Sequence, residues 1–112
     1  MPKTETLGKG SKLCAGRVYT AVVKLKAGTY YPGMPLSYNA TDKAYQYQAD
    51  LTDAVAFYYG SRRDGTEAGI EYGQVIIGGQ IYESGIVDNN NNVIKLTDTH
   101  RKFLDFKGFC LK

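Results

Sequence analysis

Apolar and polar residues alternate along this chain in short stretches broken by glycine, proline and asparagine, a pattern that predicts a small sheet rather than a helical bundle. The clearest stretch is 17–25. Tyr19, Ala21, Val23 and Leu25 fall on one face and Val18, Thr20, Val22 and Lys24 on the other, the period of two expected of a strand. Tyr31-Pro32-Gly33 then predicts a type II turn, because proline presets the first central φ and glycine supplies the positive φ of the second. Residues 36–39 and 44–48 predict a hairpin around Ala40-Thr-Asp-Lys43, with Tyr45 and Tyr47 on one face of its second strand and Gln46 and Gln48 on the other.

Further along, 54–59 is short, apolar and aromatic. A strand or a single helical turn would both accommodate it, and Gly60 with the long loop beyond favours the strand. Residues 61–73 are polar and charged, with Arg62, Arg63, Asp64 and Glu67 among glycines, and predict an exposed loop. Residues 74–82 predict a strand whose Gly78-Gly79 pair marks a bulge or a close backbone approach. Asp88-Asn-Asn-Asn-Asn92 predicts a turn, and 93–96 a short strand. Thr97 or Asp98 is placed to cap a helix with Phe103, Leu104 and Phe106 as its apolar positions and Gly108 as its stop; 109–111 closes the chain as a strand.

The fold class that follows is mainly β: a small domain of short strands and hairpins over 17–112, with one short C-terminal helix. Residues 1–16 differ. Beyond Met1 they carry only Leu7 and Leu13 as large apolar side chains, too few to pack a face, and predict a flexible N-terminal arm. At 112 residues the chain is one domain, since halves of it would be too small to bury a core unaided. Ten tyrosines, four phenylalanines and no tryptophan suit a half-buried pleated surface, where the ring packs and the hydroxyl reaches water.

Charge narrows the partners. The formal net charge of +3 is mild and dispersed, without the basic stripe of a nucleic-acid footprint. No apolar run approaches the ~18 residues of a membrane span, and the N-terminus lacks a signal-peptide core, so a cytosolic site of synthesis is expected, with neither nucleic acid nor membrane as partner. A reducing compartment favours free thiols for Cys14 and Cys110, the latter read as a small hydrophobe in the last strand, although a bridge tying the two ends together is also compatible with the sequence.

No residue pattern predicts catalysis, a cofactor or a metal. His100 is the one histidine, without partners at ligand spacing, and reads as a solvated helix residue. Asp98 and Asp105 near it are explained as a cap and a surface charge. Asp88 to Asn92 offers oxygens but not the spaced carboxylates and closing glutamate of a calcium loop. Neither Gly8-x-Gly10 nor Gly78-Gly79 lies between a strand and a helix with the Lys-Ser/Thr of a phosphate cradle. Asn39-Ala-Thr41 matches a glycosylation acceptor that matters only in a secreted protein, and Arg62-Arg63-Asp64-Gly65 is a loop tip.

Five segments in order carry a resemblance. Gly33-Met-Pro-Leu36, Asp42-Lys-Ala-Tyr45, Ala54-Val-Ala-Phe57, Val75-Ile-Ile-Gly78 with 80–84, and 102–111 around Gly108 resemble, in their order and in total chain length, the head decoration (capsid-stabilising) proteins of lambda-like tailed phages. The similarity spans 27 to the C-terminus. It departs from the family's pattern in the regular 17–25 strand and in the charged 61–73 loop. The resemblance implies a structural virion protein, not an enzyme, made in the host cytoplasm. Such proteins sit on the capsid exterior at three-fold positions of an expanded head, as homotrimers bound to the major capsid protein, and hold the shell against packaged DNA. It also implies an arm that pairs as a strand with the shell, here Lys3, Thr4, Glu5, Thr6, Leu7, Lys9, Lys12 and Leu13. A reading from a different class is a virion-borne glycan- or host-binding module using Tyr30, Tyr31, Tyr58 and Tyr59 as an exposed platform. A third, a single-strand nucleic-acid binder with stacking tyrosines, runs against the dispersed charge.

Overall fold

The computed structural model describes residues 13–60 and 71–112. Among these, the strands are β1 (Cys14–Leu25), β2 (Pro35–Asn39), β3 (Ala44–Tyr47), β4 (Ala56–Tyr58), β5 (Glu71–Ile81) and β6 (Phe109–Leu111). A 3₁₀ turn at Glu83–Gly85 and one helix, α1 (Asp98–Phe106), complete the set. The protein is mainly β, with all six strands in one mixed sheet.

Strand β5 organises that sheet because it is paired on both edges. Along one edge it runs antiparallel to β1, from Leu25 opposite Glu71 to Cys14 opposite Ile81. Along the other it meets β4 at Val75 and Ile76, then β6 in parallel at Gly79, Gln80 and Ile81. A parallel neighbour requires a crossover, and the 3₁₀ turn and α1 supply it. On the far side β4 pairs with β2, β2 with β3, and β3 returns to β1 through Leu25 opposite Tyr45, so five strands close into a ring.

Successive side chains of β5 point to opposite faces and so serve two cores. Val75 packs with Leu25, Tyr30, Met34, Leu36, Ala56 and Tyr58 inside the ring. Ile76 packs on the other side with Leu13, Phe57, Ile81, Leu104 and Phe109, where Phe57 and Phe109 meet edge to face at 5.0 Å between ring centroids.

The turns follow their residues. Gly33 has φ +96°, and the Met34 N–H donates to the Tyr31 carbonyl at 3.0 Å, as a type II turn requires. The hairpin loop is organised by Asn39, whose Oδ1 accepts from the N–H groups of Thr41 and Asp42 at 2.9 and 3.1 Å. Asp88 does the same for its turn, accepting from the Asn90 and Asn92 N–H groups while Asn91 takes φ +64°.

Several expectations are corrected. The sheet reaches further at both ends of β1–β5: Cys14, Ala15 and Gly16 belong to β1 rather than to an arm, and β5 starts at Glu71 rather than Gln74. The rest of the predicted arm, 1–12, and of the predicted loop, 61–70, lies outside the described residues. Tyr19 does not share the face of Ala21 and Val23. Its partner is Gly78, whereas Thr20 pairs with Ile76, so Ile77 is an extra residue on β5 and the alternation slips by one. Tyr19 is consequently 58% exposed, and Val18 packs toward the core instead.

Residues 93–96 form one isolated bridge, Val93 to Val87, not a strand. The segment facing them is only Ile86 and Val87, caught between the 3₁₀ turn and the Asp88 turn. In α1 only Leu104 is buried; Phe103 and Phe106 are exposed. At about 100° per residue, Phe106 stands roughly 160° away from Leu104 around the helix and cannot share its face. Cys110 is exposed between buried Phe109 and half-buried Leu111, as strand alternation dictates.

Gly79 and Gly108 both have positive φ, +113° and +98°, but a side chain would meet different surroundings. At Gly79 a Cβ would collide with the Arg17 carbonyl and Val18 Cα; at Gly108 it would meet nothing within 4 Å. Gly108→Ala is therefore expected to cost about 1–2 kcal/mol from backbone strain alone. Gly79→Ala should cost at least about 2 kcal/mol more, because β1 must move. Urea unfolding of the two variants checks the difference, and equal losses would show that the bulge yields freely.

Candidate functional site

Of the residues predicted to bind a partner, Lys3, Thr4, Glu5, Thr6, Leu7, Lys9 and Lys12 lie outside the described residues, and Leu13 is corrected. Leu13 is 1% exposed and packs in the second core with Leu51, Ile81, Ile86 and Leu104. Its carbonyl accepts a hydrogen bond from the Tyr82 N–H at 2.7 Å. A leucine held in this way belongs to the body of the domain and is unavailable to a shell. Gly16, read as an arm glycine, lies instead in β1 beside the Gln80 side chain, whose flexible end would have to swing aside for a Cβ there. The sequence signal that was available is the apolar run Leu13-Cys14-Ala15 leading without a turn into the 17–25 strand.

Beside Leu13 lies a cleft of about 300 Å³ lined also by Pro32, Ser84, Gly85, Val87, Asn91 and Val93. A more open, polar hollow of about 470 Å³ lies between Lys26, Thr29, Gln46, Tyr47 and Asn89, with the Lys26 ammonium 2.8 Å from Asp42 at its side. Neither brings together the groups of an acid–base or nucleophilic site. No three His, Cys, Asp or Glu side chains gather to hold a metal ion among the described residues.

The tyrosine platform is also corrected. Tyr30 and Tyr58 are each 2% exposed and pack against one another with ring centroids 5.5 Å apart, while Tyr31 and Tyr59 are half-buried. The Tyr30 hydroxyl donates to the Lys26 carbonyl at 2.6 Å. The exposed tyrosines are instead Tyr19, Tyr38, Tyr72 and Tyr82. Burial and a hydrogen bond with Cys14 push the Tyr59 hydroxyl above its ordinary range, as for a ring that belongs to the core.

The helix is held by polar contacts that the sequence pattern only partly announced. Thr97 is the cap: its Oγ1 accepts from the His100 N–H at 3.2 Å, and the Thr97 N–H donates to His100 Nδ1 at 3.3 Å. His100 thus takes the part usually played by Glu or Gln in a capping box. Arg101 donates to both Glu83 oxygens at 2.8 and 3.2 Å and to Asp98 at 2.8 Å, and these carboxylates raise its already high pKa. Lys107 at the C-terminal end donates to the carbonyls of Thr52 and Ala54 at 2.5 and 2.7 Å.

The cysteines flank β5 on opposite edges, Cys14 beside Ile81 and Cys110 beside Gln80. Two strand spacings set them about 9–10 Å apart, beyond the reach of a disulfide, and both are free thiols. No helix among the described residues is long and apolar enough to cross a membrane. Compared with known proteins, the chain matches no family model and no curated protein.

Two outcomes follow. Leu13→Ala is expected to destabilise the domain by about 3 kcal/mol, the usual cost of emptying a buried leucine site; thermal and urea melts check it, and a loss under about 0.5 kcal/mol would return Leu13 to the arm. The second concerns Asp50. Hydrogen bonds from the backbone and hydroxyl of Thr52 hold its carboxyl below its ordinary value of 3.8. A lowered folded pKa stabilises the turn above the ordinary value and is lost as pH falls through the folded one. NMR titration should therefore show the Thr52 amide signal moving with a midpoint below 3.8, and not in Asp50→Asn.

Proposed function

We propose that this chain is a structural virion protein that binds the outside of an expanded phage head at its three-fold positions and stabilises the shell against packaged DNA. The observation that carries the reading is the ordered set of segments resembling lambda-like head decoration proteins. Support comes from where those segments fall. Gly33-Met-Pro-Leu36 leaves the type II turn and opens β2, Asp42 to Tyr45 is the hairpin return, and Ala54 to Phe57 leads into β4. Val75 to Gly78 is the part of β5 that pairs with β4 and enters the bulge, and 102–111 is the helix-to-strand passage turning at Gly108. These are the positions on which the sheet depends, so the likeness follows the framework rather than scattered surface residues.

In this reading residues 1–12 carry the attachment. They lead directly into β1, whose first residues are fixed by Leu13 and by pairing with Ile81. An extended segment gains affinity from main-chain hydrogen bonds to a sheet edge, and three copies at one site multiply the gain. Closed cyclic symmetry is the common form of such assemblies, with exposed apolar and tyrosine side chains at the seam. The glycan- or host-binding alternative loses the platform on which it was framed, because Tyr30 and Tyr58 are interior.

The test is a pair of deletions with expanded empty heads of the phage that carries the protein. Removing 1–12 should change stability by no more than about 0.5 kcal/mol yet abolish or greatly weaken head binding, since each main-chain hydrogen bond lost contributes about 1 kcal/mol net. Removing 1–16 should also lower the melting temperature, because it takes Leu13 and the start of β1. Imaging should place the full chain at three-fold positions, and light scattering should give a trimer in solution or on the shell. A dimer persisting on the heads, or undiminished binding by the 1–12 deletion, would refute this account.

A further inference from the structure

The first turn of α1 is closed by a side chain that can change its charge. A capping box ordinarily has Glu or Gln at its third helical position; here that position is His100. Its Nδ1 accepts from the Thr97 N–H at 3.3 Å, while the His100 N–H donates to Thr97 Oγ1 at 3.2 Å. A neutral imidazole has one N–H and one nitrogen lone pair, so acceptance at Nδ1 places the ring proton on Nε2. A second proton then has only Nδ1 to occupy. It turns the acceptor facing the Thr97 N–H into a donor, and that bond of the cap is lost.

The surrounding charges decide where a protonated ring goes. A cation in the first turn is disfavoured by the helix dipole, so the charged ring is pushed away from the cap. Asp98 and Glu83 are both held by Arg101 at 2.8 Å. Lys107 is engaged with the carbonyls of Thr52 and Ala54. Lys95 and Asp53, exposed on the flanking segments, form no ion pair among the described residues. Asp50 differs. The backbone and hydroxyl of Thr52 hold its carboxyl below its ordinary range, and the charge of His100 adds to them. An ionised, exposed Asp50 therefore stands within electrostatic reach of the imidazole.

We propose that His100 is a proton-operated latch on α1: neutral, it closes the first turn through Thr97; protonated, it releases Thr97 and turns to the Asp50 carboxylate. Glutamine would close the same box at every pH, whereas imidazole is the side chain whose charge ordinarily changes near neutrality. The ring thus has two positions, one on the cap and one on the 50–52 turn, and proton concentration sets the balance between them. Because α1 lies in the crossover from β5 to β6, acid loosens that crossover at the start of the helix. Leu104 and Lys107 still hold the far end. The latch rests on the helix and its neighbours alone, so it stands whether or not the head-binding reading does.

The experiment follows the isotope-labelled full chain by NMR between about pH 8 and pH 5. At the upper end the His100 ring nitrogens should show the proton on Nε2. As the ring protonates, the Thr97 amide signal should move with the ring's own midpoint. Its protection from hydrogen exchange, corrected for the intrinsic pH dependence, should fall about fivefold, the equilibrium equivalent of one typical cap. The Asp50 carboxyl carbon should move with the same midpoint, above its own titration. His100→Gln keeps a capping-box residue without a titrating ring, so its Thr97 amide should stay protected across the range. A neutral ring carrying its proton on Nδ1 overturns the proposal, and so does a Thr97 amide that ignores the ring; neither reading needs a variant. An unchanged pH response in His100→Gln overturns it as well, marking another group as the one that titrates. An Asp50 signal indifferent to the ring overturns it too, because the released ring then has no second position.

Discussion

The approach of β1 to β5 at Gly79 leaves no room for a Cβ beside the Arg17 carbonyl and Val18 Cα, and it falls on the strand that three others, β1, β4 and β6, pair with. Below the slip in register beside it, Ile81 stands opposite Cys14 and beside Leu111; above it, Val75 and Ile76 stand opposite Ala21 and Thr20 and beside β4. By the alternation of successive side chains, one strand feeds two cores. Val75 fills the ring and Ile76 the helix side. The ring closes at the far end of β1, through Leu25 and Tyr45.

Helix α1 depends on that framework rather than on its own sequence. Nine residues are too few for a stable isolated helix, and burial of Leu104 alone contributes about 1.5–3 kcal/mol. The remaining support is polar. The cap contributes about 1 kcal/mol, and the exposed Arg101 pairs at most about 1 kcal/mol. Lys107 neutralises two inward-facing carbonyls of the 52–54 segment and so joins the helix C-terminus to the chain entering β4. Holding the helix by its ends and flank frees its outer surface, and that freedom is why two phenylalanines can stand in solvent without the helix detaching.

The described surface of the domain is made of sheet faces, loops and one helix. Its tyrosines divide by environment: Tyr30 and Tyr58 behave as core residues with one bonded hydroxyl shown, whereas Tyr19, Tyr38, Tyr72 and Tyr82 give the sheet exposed aromatic faces. Leu13 is fixed in the body, with its side chain in the core and its carbonyl bonded to Tyr82. On the proposed reading, a segment bound to the shell and joined to the body at that point would load the long antiparallel β1–β5 pair.

Local chemistry determined much of this structure. The Pro32-Gly33 turn, the Asn39 hairpin loop, the Asp88 turn, the Thr97 cap and the Gly108 stop all arise from residues acting on their immediate backbone, so they were legible in order and nearly in position. The alternation of 17–25 and the apolar run of 74–82 likewise announced strands, and Gly78-Gly79 announced a bulge or a close backbone approach. Which face each residue took was decided only when the strands paired. Tyr19 was turned outward by an extra residue on β5, a partner far away in sequence, and 93–96 failed as a strand for want of a facing strand. Phe103 and Phe106 were apolar by composition but lay on the wrong side of a helix whose orientation is set by Leu104, Glu83 and Lys107. Leu13 looked like one leucine in a polar arm because its nine companions in the core come from five separate parts of the chain. Periodicity is a property of neighbours in sequence, whereas burial is a property of neighbours in space, and only the folded sheet supplies the second.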